Sequence, residues 1–294
     1  MLVNGVSRDR MITTLSVAVS SPVSTPTVHG PFTDRTRTDR RCLSTSSGKI
    51  STDLHPRVPM EKLADSSNDP SMDYHIQVIT PDDAPRVLKF LKRFFFRDEP
   101  LNYSIELIPP GENSTCVELE EYSISSIEEN LSLMAVSTSG AVIGVCLNGN
   151  RAELPKCRTS APKDAEPDYI ADCANPKFKK VLKLLYFLDK QVTATGRYTG
   201  ENGVELRIIS VDSNWRGRGV ARALIEKTIE TAKERGFSII RCDCTSVFSA
   251  KLCARIGFEK IYELKYEDYV DEEGKPIFSP DSPHTSATSY TKKL

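Results

Sequence analysis

The chain has 294 residues, enough for one large domain or for one domain with a long extension. Its 39 Lys and Arg are balanced by 40 Asp and Glu, so no basic excess speaks for nucleic acid as a partner. No apolar run approaches the ~20 residues that span a bilayer, and the eight cysteines lack the paired spacing of a zinc knuckle. That cysteine usage leads us to expect reduced, small, buried thiols in a cytosolic protein, with no metal site.

Residues 1 to about 72 differ from the rest, being rich in Ser, Thr, Pro and Arg and poor in aromatics. Such a stretch buries too little apolar surface to offset its ordering entropy, so a disordered extension is the first expectation. Arginines without a glutamate up to Met60 keep a mitochondrial transit peptide open, and the apolar stretch Met11 to Val19 keeps a secretory signal open. Met60 and Met72 would be alternative starts for a compact cytoplasmic form.

The folded part is expected from Asp73 onward. Tyr74, Ile76 and Val78 alternate with polar residues as in a first strand. Thr80-Pro81-Asp82-Asp83 starts a helix whose apolar stripe is Val87, Leu88, Leu91, Phe94 and Phe95. Pro100 then pushes Glu99 out of helical geometry. Val117 to Tyr122 reads as a short helix. Leu133 to Val136 and Ala141 to Leu147 read as a hairpin around Ser137-Thr138-Ser139-Gly140. Asn150 to Ala174, with three prolines, reads as a mobile loop, and Pro176 to Val192 as a helix.

Next comes an apolar strand ending Ile208-Ile209-Ser210-Val211. The turn Asp212-Ser213-Asn214-Trp215-Arg216-Gly217-Arg218-Gly219 follows, and then an amphipathic helix. Its stripe is Val220, Ala221, Leu224, Ile225, Thr228, Ile229 and Ala232, and Gly236 stops it. Two glycines let a ligand approach the backbone, and the helix start offers free N–H donors and a positive dipole end. With Arg216 and Arg218 beside it, the unit suits a pyrophosphate; a plain strand-turn-helix of an α/β core is the other reading. Ser238 to Cys244 is the following strand and Ser249 to Ile256 a short helix. Tyr262 to Tyr269 and the polar segment from Thr285 to Lys292 form a last antiparallel pair. The order fits a mixed, mostly antiparallel α/β sheet flanked by helices, with its ligand loop at mid-sheet.

The order Arg216-x-x-Gly219-x-Ala221 resembles the acetyl-CoA pyrophosphate loop of the GNAT acetyltransferases, and Ile256-Gly257-Phe258 resembles the Leu-Gly-Phe that closes their next helix. Phe94-Phe95-Phe96-Arg97-Asp98-Glu99-Pro100-Leu101-Asn102 is similar to a segment of the insect arylalkylamine N-acetyltransferases, the dopamine-acetylating type. Ile143-Gly144-Val145, Leu147-Asn148-Gly149, Pro176-Lys177-Phe178-Lys179-Lys180 and Ser210-Val211-Asp212 extend that likeness, which runs from residue 73 to the C-terminus.

The resemblance implies transfer of acetyl from acetyl-CoA to an arylalkylamine such as dopamine, tyramine, octopamine or serotonin, by direct attack in a ternary complex. It implies Glu99 as general base, with Thr245 and Ser249 at the positions of two supporting serines. Cys253 stands where many GNAT enzymes carry a tyrosine acid, and we read it as a packing residue. The backbone of Ile209 and Val211 is expected to pair with the pantetheine amides. Arg216, Gly217, Arg218, Gly219, Val220 and Ala221 would hold the pyrophosphate, with Trp215 as an apolar anchor and Asp98 as a structural or loop-capping acid. No metal or membrane is implied, and a monomer is expected. Polyamine or protein amines are the alternative acceptors. A regulator that binds acetyl-CoA without turnover is the third reading, disfavoured by the intact Glu99 and loop.

Overall fold

The computed structural model describes residues 74–111, 113–151, 166–196 and 202–294. The expectations for residues 1–72 and for the middle of the 150–174 loop, with Cys42 and Cys157, lie outside those residues.

Strand β1 (Tyr74–Val78) leads through a single 3-10 turn into α1 (Ala84–Phe94). That entry is held where Asp83 Oδ2 accepts from Thr80 N–H at 2.9 Å and from its hydroxyl at 2.8 Å. Short helices α2 (Pro100–Ser104) and α3 (Val117–Ile124) follow, then the hairpin β2 (Leu133–Ser137) and β3 (Val142–Asn150). After α4 (Asp168–Ala171) and α5 (Pro176–Ala194) come β4 (Gly203–Val211), α6 (Val220–Glu234) and β5 (Ile239–Cys244). The chain ends with α7 (Val247–Arg255), β6 (Glu259–Lys265) and β7 (Ser286–Lys293).

The strands form one seven-stranded sheet in the order β1-β2-β3-β4-β5-β7-β6. Only β4 and β5 run parallel; every other pair is antiparallel. One face buries α1, α3 and α5 through Val87, Leu91, Leu119, Phe178, Leu185 and their neighbours. The other buries α6 and α7 through Val220, Leu224, Ile225, Cys253 and Phe258. The amphipathic patterns of α1 and α6 thus point to opposite faces of one sheet.

Three expectations are corrected. The 150–174 segment includes a helical turn at Asp168–Ala171. Helix α7 starts at Val247 rather than Ser249, because Ser246 caps it by accepting from Ser249 N–H at 3.1 Å. Strand β6 ends at Lys265, where a 3-10 turn, Tyr266–Asp268, bends the chain away. The last strand does pair with β6, but it enters between β5 and β6.

Two irregularities in β4 shape the middle of the sheet. Its pairing with β3 shifts between Leu147 and Asn148, which leaves Arg207 as an extra, bulged residue. Its pairing with β5 stops at Leu206 and Cys242, although both strands continue. The two strands therefore part at mid-sheet, and among the described residues none pairs with β4 on that side beyond Leu206.

Candidate active site

The open edge of β4 is defined by alternation. Asp212 N–H donates to Ile143 O at 2.9 Å, which turns the backbone of Asp212 and Ser210 toward β3. Ile209 and Val211 therefore present their N–H and C=O groups to the side that β5 has left. Val211 O accepts there from Arg216 Nε at 3.1 Å.

At the end of β4 the chain enters the turn predicted as an anion site. Gly217 (φ 77°) and Gly219 (φ 82°) both take the left-handed conformation, where a side chain is strained, and both are exposed. The α6 ladder begins where Ala223 N–H donates to Gly219 O, so the amides of Val220, Ala221 and Arg222 lie before its first bond. This suits a pyrophosphate by charge and by open backbone. Arg218 stacks its guanidinium 5.0 Å from the Trp215 ring, which packs edge-on against Tyr74 at 6.2 Å. Trp215 is thus the expected apolar anchor and also seats Arg218.

Opposite this edge sits Glu99, 1 % exposed. Pro100 forces it into extended geometry (φ −69°, ψ 128°), where it caps α2. Its Oε2 accepts from Asn102 N–H at 2.7 Å, and its Oε1 accepts from the Thr245 hydroxyl at 2.8 Å. Burial pushes the Glu99 carboxyl above the usual glutamate range, while the hydrogen bonds from Asn102, Thr245 and Leu101 pull it back. Asn102 is sealed in the same corner, its Nδ2 donating to Phe96 O.

Of the residues expected at the site, the fold brings Thr245 onto Glu99 and leaves Ser249 apart. Ser249 is fully buried in the first turn of α7, its hydroxyl donating to Ser246 O at 2.8 Å. Cys253, one turn later, is buried beside Cys242 and Cys244.

Three contacts were not foreseen. Tyr266 donates from its phenol to Thr245 O at 2.7 Å and lies close enough to feel the Glu99 charge. Asp98, expected as a structural or loop-capping acid, takes a structural place: its Oδ2 lies 3.5 Å from Arg216 Nη2, bridging the Glu99 corner and the glycine turn. His284 Nδ1 accepts from Val247 N–H at 3.3 Å and steadies the start of α7. All three join residues far apart in sequence and carry no local signal.

Such a sheet, parted between its two parallel strands with an open glycine turn at the mouth, defines an acyl-CoA-dependent acetyltransferase of the GNAT type. The model of the Acetyltransferase (GNAT) family matches residues 106–258, more than half of the chain, and the chain belongs to that family. GNAT acetyltransferases use acetyl-CoA as co-substrate, and the open β4 edge and glycine turn fit it. Arylalkylamine N-acetyltransferase 2 of Aedes aegypti is 33 % identical, with 76 % of this chain and 99 % of that one covered at a TM-score of 0.67. Mosquito arylalkylamine N-acetyltransferase like 5b is 28 % identical over 75 % of this chain and all of its own, at a TM-score of 0.63. The N-acetylaspartate synthetase of Danio rerio is 42 % identical over 71 residues, 24 % of each chain. The chain thus spans about a quarter of the length of the curated relatives it matches.

Proposed function

We propose that this acetyltransferase acts on the primary amine of arylalkylamines, dopamine, tyramine, octopamine and serotonin among them. Acetyl-CoA and amine would meet in one ternary complex. Glu99 carries the reading: a sealed carboxylate, raised by burial, beside the parted strands. An alkylammonium with a pKa near ~10 has no lone pair at neutral pH, so attack needs a base. An ordinary glutamate is too weak for that proton, and burial moves Glu99 the right way.

The negative carboxylate also attracts the ammonium. Phe94, Phe95 and Phe96 lead into Glu99 along the chain and Tyr266 packs beside its Thr245 partner, apolar surroundings that suit an arene more than a polycation. The likeness to the Aedes arylalkylamine enzyme supports the same acceptor class. Acetyl-CoA would lie along the β4 edge at Ile209 and Val211, its pyrophosphate on Arg216, Gly217, Arg218, Gly219, Val220 and Ala221. The amine nitrogen attacks the thioester carbonyl, Glu99 takes its proton, and the carbon–sulfur bond breaks. Once Glu99 holds the amine's proton, the Thr245 hydroxyl bonded to it would give its own proton to the departing thiolate and take the proton from Glu99 in return, which restores both groups; Ser249 has no such link to Glu99, its hydroxyl being engaged within α7.

The test is CoA release by the full chain with acetyl-CoA and a panel of dopamine, tyramine, serotonin, spermidine and a histone-tail peptide. Turnover confined to the aromatic amines is expected. Turnover only with spermidine or the peptide overturns the acceptor, and acetyl-CoA binding without turnover on any amine overturns the enzyme reading.

A further inference from the structure

The eight cysteines show no zinc-knuckle spacing in sequence, yet the fold gathers three of them. Cys242 and Cys244 lie two apart on β5 and so share its face toward α7, and Cys253 reaches them from that helix. The three Sγ–Sγ separations are 3.3 Å (Cys242–Cys253), 3.7 Å (Cys244–Cys253) and 4.0 Å (Cys242–Cys244). All three residues have no exposed surface. A point in their plane lies roughly 2.1 Å from each sulfur, and lifting it roughly 0.8 Å out of the plane gives the ~2.3 Å of a zinc–thiolate bond. The sulfur–metal–sulfur angles at that point average close to tetrahedral. A disulfide would use two of these sulfurs and leave the third unexplained.

We propose that Cys242, Cys244 and Cys253 form a three-thiolate site for a divalent thiophilic d10 cation of the zinc class. Three S–H bonds break, three metal–sulfur bonds form, and three protons leave to solvent, so one negative charge remains on the complex. Tyr290 packs with the three cysteines in one buried cluster. Soft sulfur ligands in an apolar setting select such an ion over magnesium or calcium.

The site sits immediately behind Thr245 and Ser249. Its ion would staple the end of β5 to α7 and so fix the wall that faces Glu99. This inference rests on the sulfur geometry and is independent of which amine the enzyme accepts.

The experiment is an anaerobic titration of the reduced full chain with Cd²⁺, following the near-ultraviolet thiolate-to-metal charge-transfer band. Native mass spectrometry with Zn²⁺ and thermal melts accompany it. We expect saturation at one equivalent, one zinc per chain, and a Tm raised by about 5 °C with excess ion. Cys253→Ser and, independently, Cys242→Ala should abolish the tight band, while Cys116→Ala keeps it. Two separate variants guard against one that fails to fold. No band in the reduced wild-type chain, or a band undiminished in both variants, overturns the proposal. So does a Tm gain of the same size in the variants.

Discussion

Glu99 is held in two opposing ways, and both are measurable. Desolvation raises its carboxyl, whereas the Thr245 hydroxyl and the amides of Asn102 and Leu101 favour the charged form. A base must be deprotonated, so kcat/KM should rise with pH along a limb centred above the ordinary glutamate value. Glu99→Gln should remove that limb and lower the rate about 100-fold or more, with acetyl-CoA binding unchanged by calorimetry. The stability consequence has the opposite sign. A carboxyl raised in the folded state contributes stability below its unfolded value and loses it as pH rises through the folded value. Thermal melts of Glu99→Gln should therefore gain on the wild type between acid and neutral pH. Thr245→Ala takes away one donor to the charged form, so the acid limb should move up by about one pH unit, and Thr245→Ser should leave it in place. A limb that ignores the hydroxyl would remove Thr245 from the base.

The strand β4, the glycine turn and α6 act as one element, and its parts answer to different rules. Helix α6 was legible because its apolar stripe repeats at helical spacing, and the turn because Gly217 and Gly219 stand where φ is positive. Strand β1 was legible from alternation and β4 as a continuous apolar run ending at the turn. The parting of β4 from β5 was not, since it depends on where a parallel pairing stops. Nor was the route of residues 266–284, which bring Tyr266 under Thr245 and His284 to the start of α7. Those placements come from tertiary packing, with no pattern in the local residues.

The Asp98–Arg216 bridge belongs to this second kind. With Asp98 44 % exposed, the pair contributes at most about 1 kcal/mol. Arg216→Ala should therefore barely move the Tm, yet raise the KM for acetyl-CoA about tenfold at little change in kcat, as loss of uniform binding does. Gly219→Ala should raise the same KM and cost about 1–2 kcal/mol of stability from the left-handed backbone. Equal loss of kcat in Arg216→Ala would mean that the turn positions the reaction as well as the phosphate.

Across the whole molecule, the sheet carries a row of buried charge on the face of α1 and α5. Arg207 and Arg241 are fully buried, with Glu205 and Asp243 beside them. Arg207 lies flat on Gly149, where a methyl group would come within 2.2 Å of its guanidinium. Arg241 meets Asp189, and its Nη2 donates to Asp243 Oδ2 at 3.0 Å and to Oδ1 at 3.4 Å, where the Ser289 hydroxyl also donates. Buried pairs like this stabilise little against apolar residues of similar shape, but removing one partner strands the other. Arg241→Met strands the fully buried Asp243 and should cost about 3–5 kcal/mol, a fall in Tm of roughly 10 °C for a domain of this size.

Replacing both partners, Arg241→Met with Asp243→Leu, should recover most of that loss. Asp189 is itself 31 % exposed and keeps Arg151 Nη2 at 3.4 Å, so it is not left without a partner. Thermal melts of the single and double variants decide the matter. If the double change falls as far as the single one, the row is held by its hydrogen bonds through β7 and Ser289, and the cost of a stranded charge is not what sets its stability.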